Sequence, residues 1–220
     1  FLAGPARQAE ALYVLGDLFE YWAGDDDLDD PFNAKICAGL QRLSQSGVPL
    51  FFMAGNRDFL AGDGFASKAG LTLLPDPALV EIAGASVLLM HGDTLCTDDD
   101  AYQMFRTEVR SPEWRKSFLA LPLDQRKAKI EALRQESEAQ KRAKPAEIMD
   151  VNPAAVLQVL TSHRCTRLIH GHTHRPALHR LAVAGEACER WVLPDWYESG
   201  GYLACDASGC RLLEWPPAAV

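Results

Sequence analysis

The 220 residues are enough for one globular domain with a sizeable core, and 48% hydrophobic with 24% charged residues excludes a disordered or fibrous chain. The net charge of -8 argues against a general nucleic-acid binder, which needs positive charge to displace phosphate counterions. That average hides an asymmetry: residues 106–144 hold eleven Lys or Arg against six Asp or Glu, so this stretch is +5 and the remainder -13. Six cysteines, Cys37, Cys96, Cys165, Cys188, Cys205 and Cys210, form no C-x-x-C pair and no dense secreted framework, which fits a reducing compartment. No apolar run approaches the roughly 18 to 20 residues needed to span a bilayer, and the start lacks a signal-peptide layout, so a cytoplasmic protein is expected.

In chain order, the opening to about residue 10 reads as the end of a helix, and residues 11–17 as a short buried strand running into a loop at Gly16-Asp17. Residues 33–46 carry Ile36, Leu40 and Leu43 at helical spacing, with Gly47 and Pro49 as stop signals. Residues 50–53 are a wholly apolar strand ending at Gly55-Asn56-Arg57-Asp58. A short helix over 64–69 follows, then strands over 71–74, 79–82 and 86–90, the last ending at His91-Gly92-Asp93. Residues 101–142 turn helical and charged, broken at Pro112 and Pro122, and 152–163 form another helix after Pro145. A strand over 167–169 ends at His170-Gly171-His172-Thr173-His174, and short strands near 190–193, 201–204 and 210–215 close the chain. Strand–helix alternation early and antiparallel strands late predict a layered α/β sandwich forming one domain over 1–220, with a helical insertion or lid at about 101–150.

Four strand ends thus terminate in potential metal ligands: Asp17, the Asn56–Asp58 turn, His91 with Asp93, and His172 with His174. The adjacent glycines let the backbone turn tightly, and open sheets place functional loops at such ends. Carboxylate, carboxamide and imidazole form a mixed oxygen and nitrogen set that suits Mn, Fe, Co or Zn. One carboxylate, Asp17, can bridge two cations and so support hydrolysis of a phosphate ester or anhydride. Alone, a Gly-Asp is a turn and an Asn-Arg-Asp a polar loop; their shared order along the chain is the informative feature.

The ordered set Gly-Asp, Gly-Asn-x-Asp, strand-terminal His and Gly-His-x-His resembles the calcineurin-like metallophosphoesterase family. The resemblance implies a four-layer αββα sandwich with a dinuclear site, in which Asp17 bridges the metals, Asn56, His91 and His172 complete one, and His174 binds the other. The family carries an Asp-x-His on its first strand, and no such strand precedes Phe1; either the sequence is a piece of a longer one, which is the expectation, or one metal site is crippled. The blocks Leu15-Gly-Asp-Leu-Phe-Glu20, Gly55-Asn-Arg-Asp-Phe-Leu60, the ten residues from Met90 to Asp99, Ile148-Met-Asp-Val-Asn152 and Ile169-His-Gly-His-Thr-His-Arg-Pro176 closely resemble the pyrophosphatases that act on UDP-2,3-diacylglucosamine in lipid A synthesis. That implies hydrolysis to UMP and 2,3-diacylglucosamine 1-phosphate with two divalent ions, Mn2+ being typical, and catalytic roles for Asn56, Arg57 and His172. Substrate contacts are implied at those three residues and at Asp99, Ser137, Lys141 and Lys144.

Arg57 can present a planar fork to phosphate oxygens. Tyr102, Phe105, Trp114, Phe118, Leu119, Leu121 and Leu123 read as core or as the apolar inner face of a cap over acyl chains. The resemblance favours the cap, with peripheral attachment to the anionic cytoplasmic face of the inner membrane. Residues 25–30, rich in Asp, read as a solvated loop; His163 and His179 as surface residues; His170 as buried or behind the ligands; Trp196 and Glu198 have no derived role. Two alternatives stay open: a different metallophosphoesterase acting on nucleotide diesters or phosphomonoesters, and a non-catalytic binding module of the same fold.

Overall fold

The computed structural model describes residues 1–143, 146–197 and 199–215, with the backbone alone for 138–143 and 146–147. The chain divides into two compact units, residues 1–74 with 98–149 and residues 75–97 with 150–220. The α/β class expected from the sequence is observed.

The first unit is built on a parallel sheet of β1 (Leu12–Val14), β2 (Leu50–Met53) and β3 (Thr72–Leu74), with β2 in the centre and Val14 in register with Phe52. Leu50, Phe52 and Met53 are buried, as a central parallel strand requires. The connections are α1 (Pro31–Gln45) and α2 (Asp63–Ala69). Asp30 caps α1 by accepting the backbone N–H groups of Phe32 at 3.0 Å and Asn33 at 3.4 Å, and Pro31 occupies the first turn, so the helix starts two residues before the expected Asn33. Cys37, Leu40 and Leu43 bury its inner face against Phe19, Trp22, Phe52 and Phe65. Replacing Asp30 by Ala is expected to cost about 1 kcal/mol of stability, read as a shift in urea midpoint at unchanged m-value.

The charged segment forms α3 (Asp100–Val109), α4 (Pro112–Leu119) and α5 (Leu123–Ala143). Pro112 sits in the first turn of α4, where a missing N–H costs nothing, and Pro122 lies just before α5. Phe118 is buried and stacks on Trp114 with ring centroids 4.5 Å apart, whereas Met104 and Phe105 on α3 and Leu119 on α4 are exposed.

The acidic stretch 25–30 corrects the expectation of a solvated loop. Asp25 accepts the Trp22 indole N–H at 3.0 Å and the backbone N–H groups of Gly62, Gly64 and Phe65 at 3.1, 2.8 and 3.1 Å. Asp27 is buried and meets the Lys127 ammonium at 2.7 Å, and that bond raises the lysine's pKa. Asp26 takes both arms of the Arg126 guanidinium, which holds its carboxyl below the usual carboxylate range. Arg126 itself is only 2% exposed and also donates to the carbonyls of Ala23 and Leu121. These acids fasten α5 and α2 to the β1–α1 loop; a run of like charge reads as solvated only because its partners lie about 40 and 100 residues away.

The second unit carries a five-stranded sheet in the order β4 (Ala78–Ile82), β5 (Ala85–Met90), β6 (Arg167–His170), β8 (Glu186–Val192), β7 (Ala177–Val183). β5, β6 and β8 run parallel, while the outer strands pair antiparallel. Helix α6 (Pro153–His163), capped by the Asn152 side chain, buries Val156 and Leu160 against Leu88, Met90 and Leu168. Strand β7 lies outside the expected strands, because His179 and Arg180 split its apolar residues into two short runs. Among the described residues no helix is long and apolar enough to cross a membrane.

The hairpin of β9 (Gly200–Asp206) and β10 (Gly209–Trp215) places Cys205 opposite Cys210, with Cα atoms 4.1 Å apart, and a disulfide joins them. The spacing of the six cysteines gave no sign of this bond: strand register, not a sequence motif, makes the pair. The other four are free and buried, and burial raises the pKa of Cys37, Cys165 and Cys188.

Candidate metal centre

In the first unit, β1 and β2 are parallel neighbours, so the loops leaving their C-terminal ends are side by side. Gly16 with φ 83° and Asp17 with φ 54° turn the chain sharply after β1. The turn after β2 is held by Asp58, which is fully buried and accepts the backbone N–H groups of Gly55 at 2.7 Å, Leu18 at 2.7 Å and Phe19 at 3.4 Å. This carboxylate ties the two loops together and is therefore a structural clamp. Its neighbour Arg57 meets Asp17: the Arg57 N–H donates to Asp17 Oδ1 at 2.9 Å, and the Arg57 guanidinium lies 3.6 Å from Asp17 Oδ2 and pairs with Glu20. Asn56, half-buried, sits in the same turn. Arg110, the C-cap of α3, donates to the Gly55 carbonyl at 2.9 Å and lies over the Phe59 ring at 5.6 Å, bracing the turn.

In the second unit the pattern repeats. Met90 and His170 are in register at the ends of β5 and β6, and the Gly171 N–H donates to the His91 carbonyl at 2.9 Å. This brings the two His-bearing loops together: the His91 and His172 rings lie 5.1 Å apart at 68°, and each offers a ligand nitrogen within 4.8 Å of the other's. His91 is 1% exposed. Gly92 has φ 118°, and a Cβ there would come within 2.8 Å of His170 Nδ1, so glycine is required at this crossing.

His170 is fully buried directly behind this pair, as the sequence indicated. Its Nδ1 lies 2.9 Å from the Gly171 carbonyl and its Nε2 3.1 Å from Arg190 Nη1. Burial lowers its pKa to about 4, so at neutral pH the ring is uncharged, with Nδ1–H donating and Nε2 accepting. Arg190 is itself mostly buried, and burial lowers its pKa. His179 is half-buried rather than a surface residue, and its pKa is lowered by burial.

Among the described residues six non-glycines have positive φ: Asp17, Ala83, Arg164, His172, His174 and Ala184. Ala83 and Ala184 precede glycines in the turns after β4 and β7, and Arg164 caps α6. The remaining three are expected metal ligands, at 54°, 65° and 54°, and backbone held in so sparsely populated a region concentrates at functional sites.

The other expected residues are placed as follows. His174 is 34% exposed at its side chain and lies 3.4 Å from Asp195 Oδ2, a partner the sequence did not signal. Asp99 caps α3, accepting the Tyr102 N–H at 3.1 Å. Ser137 is exposed on α5. The side chain of Lys141 and the whole of Lys144 lie outside the described residues, as does Glu198. Trp196 donates its indole N–H to the Gly201 carbonyl at 2.8 Å.

Two imidazoles converging from adjacent parallel strands, with the next histidine in a strained turn, fit a divalent transition-metal ion by donor chemistry. Residues 3–176 match the family described as calcineurin-like phosphoesterase. The chain is 53% identical over 220 residues, covering all of this chain and 87% of the relative, to a protein of Aromatoleum aromaticum named UDP-2,3-diacylglucosamine hydrolase. Proteins of the same name from an Enterobacter species and from Escherichia coli are 49% and 48% identical over 216 residues, 98% of this chain and 90% of each relative. These names do not favour a non-catalytic binding module. This chain belongs to the calcineurin-like phosphoesterase family and is a metal-dependent hydrolase.

Proposed function

We propose that the chain hydrolyses the diphosphate of UDP-2,3-diacylglucosamine to UMP and 2,3-diacylglucosamine 1-phosphate. The convergence of His91 and His172 carries the hydrolytic reading, and identity near 50% along the whole chain to hydrolases of that name carries the substrate. Two divalent ions, Mn2+ by preference, would be held by Asp17, Asn56, His91, His172 and His174. Such ions supply Lewis acidity that activates water and polarises the phosphate. Around them the chain has three tasks. Arg57, anchored through its backbone to Asp17, directs its guanidinium at the negative charge that grows on the phosphoryl oxygens. Asn56 and His172 position the phosphorus on the uridine side for in-line attack by water. His170, neutral and held by Arg190, keeps the His91 and His172 loops in place.

Asp99, Ser137, Lys141 and Lys144 contact the substrate, and the helical segment of about 101–150 acts as a lid whose apolar residues receive the acyl chains. The net +5 of residues 106–144 and the exposed Met104 and Phe105 support peripheral attachment to the anionic cytoplasmic face of the inner membrane. The test is UMP release from UDP-2,3-diacylglucosamine. EDTA is expected to abolish it and excess Mn2+ to restore it; hydrolysis of p-nitrophenyl phosphate with no UMP release would contradict the substrate.

A further inference from the structure

The Gly55-Asn56-Arg57-Asp58 turn is tied on either side of Asn56 by a carboxylate. The Gly55 N–H donates to Asp58 at 2.7 Å, and the Arg57 N–H donates to Asp17 at 2.9 Å. The peptide joining Gly55 to Asn56 is held from a third direction, because Arg110 donates Nη2 to the Gly55 carbonyl at 2.9 Å. A peptide unit is rigid, so turning that carbonyl changes ψ of Gly55 and φ of Asn56 together. The rotamers open to the Asn56 side chain depend on those backbone angles. Arg110 is in turn placed by rings: its Cζ lies 5.6 Å from the Phe59 centroid, Phe59 lies 6.0 Å from Trp114, and Trp114 stacks on the buried Phe118. A guanidinium over a ring can still donate through its N–H edge, which suits arginine to both contacts at once. Phe59 directly follows the turn, while Trp114 and Phe118 belong to α4, so Arg110 stands where the helices α3 and α4 meet the turn.

We propose that Arg110 is a positioning residue: through the Gly55 carbonyl it sets the orientation of Asn56 and so couples α3 and α4 to the metal centre. The inference rests on the reading that Asn56 binds a divalent ion. Without the Arg110 donor the Gly55 carbonyl is left to water, and the peptide is free to turn. Asn56 then spends less time in the rotamer that meets the ion. Because Arg110 acts through this peptide and not on the substrate, it governs metal affinity and kcat more than KM.

The experiment compares the full chain with Arg110→Met, Arg110→Lys, Asn56→Ala and the double variant Arg110→Met with Asn56→Ala. Mn2+ binding is titrated through the electron paramagnetic resonance signal of the free ion, alongside kcat and KM for UMP release and the urea midpoint. Arg110→Met keeps the apolar stem and removes the donors; it is expected to weaken Mn2+ binding and to lower kcat, each about tenfold, with KM little changed. Arg110→Lys retains a donor and is expected to return both to within about threefold of wild type. The double variant is expected to bind Mn2+ no more weakly than Asn56→Ala, because Arg110 acts through Asn56. Wild-type Mn2+ affinity in Arg110→Met, whether or not its urea midpoint falls, overturns the inference and makes Arg110 a support of the fold alone. A raised KM at unchanged kcat overturns it in favour of a substrate contact, and additive losses in the double variant overturn it as well. If Asn56→Ala binds Mn2+ like the wild type, the reading of Asn56 as a ligand fails and the inference falls with it. Mn2+ binding needs no substrate, so it decides the inference even where the wild type releases no UMP.

Discussion

Replacing His172 by Asn is expected to reduce UMP release by more than about a hundredfold, beyond what losing a partner behind a metal ligand costs, and to lower bound Mn2+ in parallel. Asn is the informative substitution because His172 has φ 65°, a region that Asn tolerates better than most side chains, so the turn survives while the imidazole is lost. Its near-UV circular dichroism should match that of the wild type. Full activity with wild-type metal content would remove His172 from the site. His91→Asn should match it in activity but with a stability loss, since His91 is buried where His172 is only partly so.

The largest effect on stability is expected at Arg126. Arg126→Ala should destabilise the chain by about 3 kcal/mol, because a buried guanidinium that satisfies two carbonyls and a carboxylate leaves all three short of a donor. Chemical denaturation measures this directly. Arg126→Lys should recover less than half of the loss, since an ammonium cannot span Asp26, Ala23 and Leu121 with one planar fork. If Arg126→Ala unfolds at the wild-type denaturant midpoint, the acidic loop is not what fastens α5.

Strand ends and the polar residues that close them were legible because each is a local pattern. An apolar run leading into a glycine-bearing polar turn identifies β1, β2, β5 and β6 and places Asp17, Asn56, His91 and His172 at their ends without knowledge of any partner. The helix breaks at Pro112 and Pro122 follow from the missing proline N–H, and the buried state of His170 from its place inside a strand end. The family, and with it the class of reaction, came from the order of these local patterns along the chain.

What only tertiary structure decided are features whose partners lie far apart in sequence. Asp58 is one residue from Arg57, yet it is a clamp because Leu18 and Phe19, about 40 residues earlier, present their N–H groups to it. Five aspartates in 25–30 look like solvated charge until Gly62, Arg126 and Lys127 arrive to meet them. Cys205 and Cys210 pair because a hairpin register sets them opposite each other, and Glu20 gains Arg57 from a turn 37 residues away and Arg134 from a helix 114 residues away. A backbone pattern repeats locally and can be read along one dimension; a charge or a thiol takes its meaning from whichever group the fold brings to it.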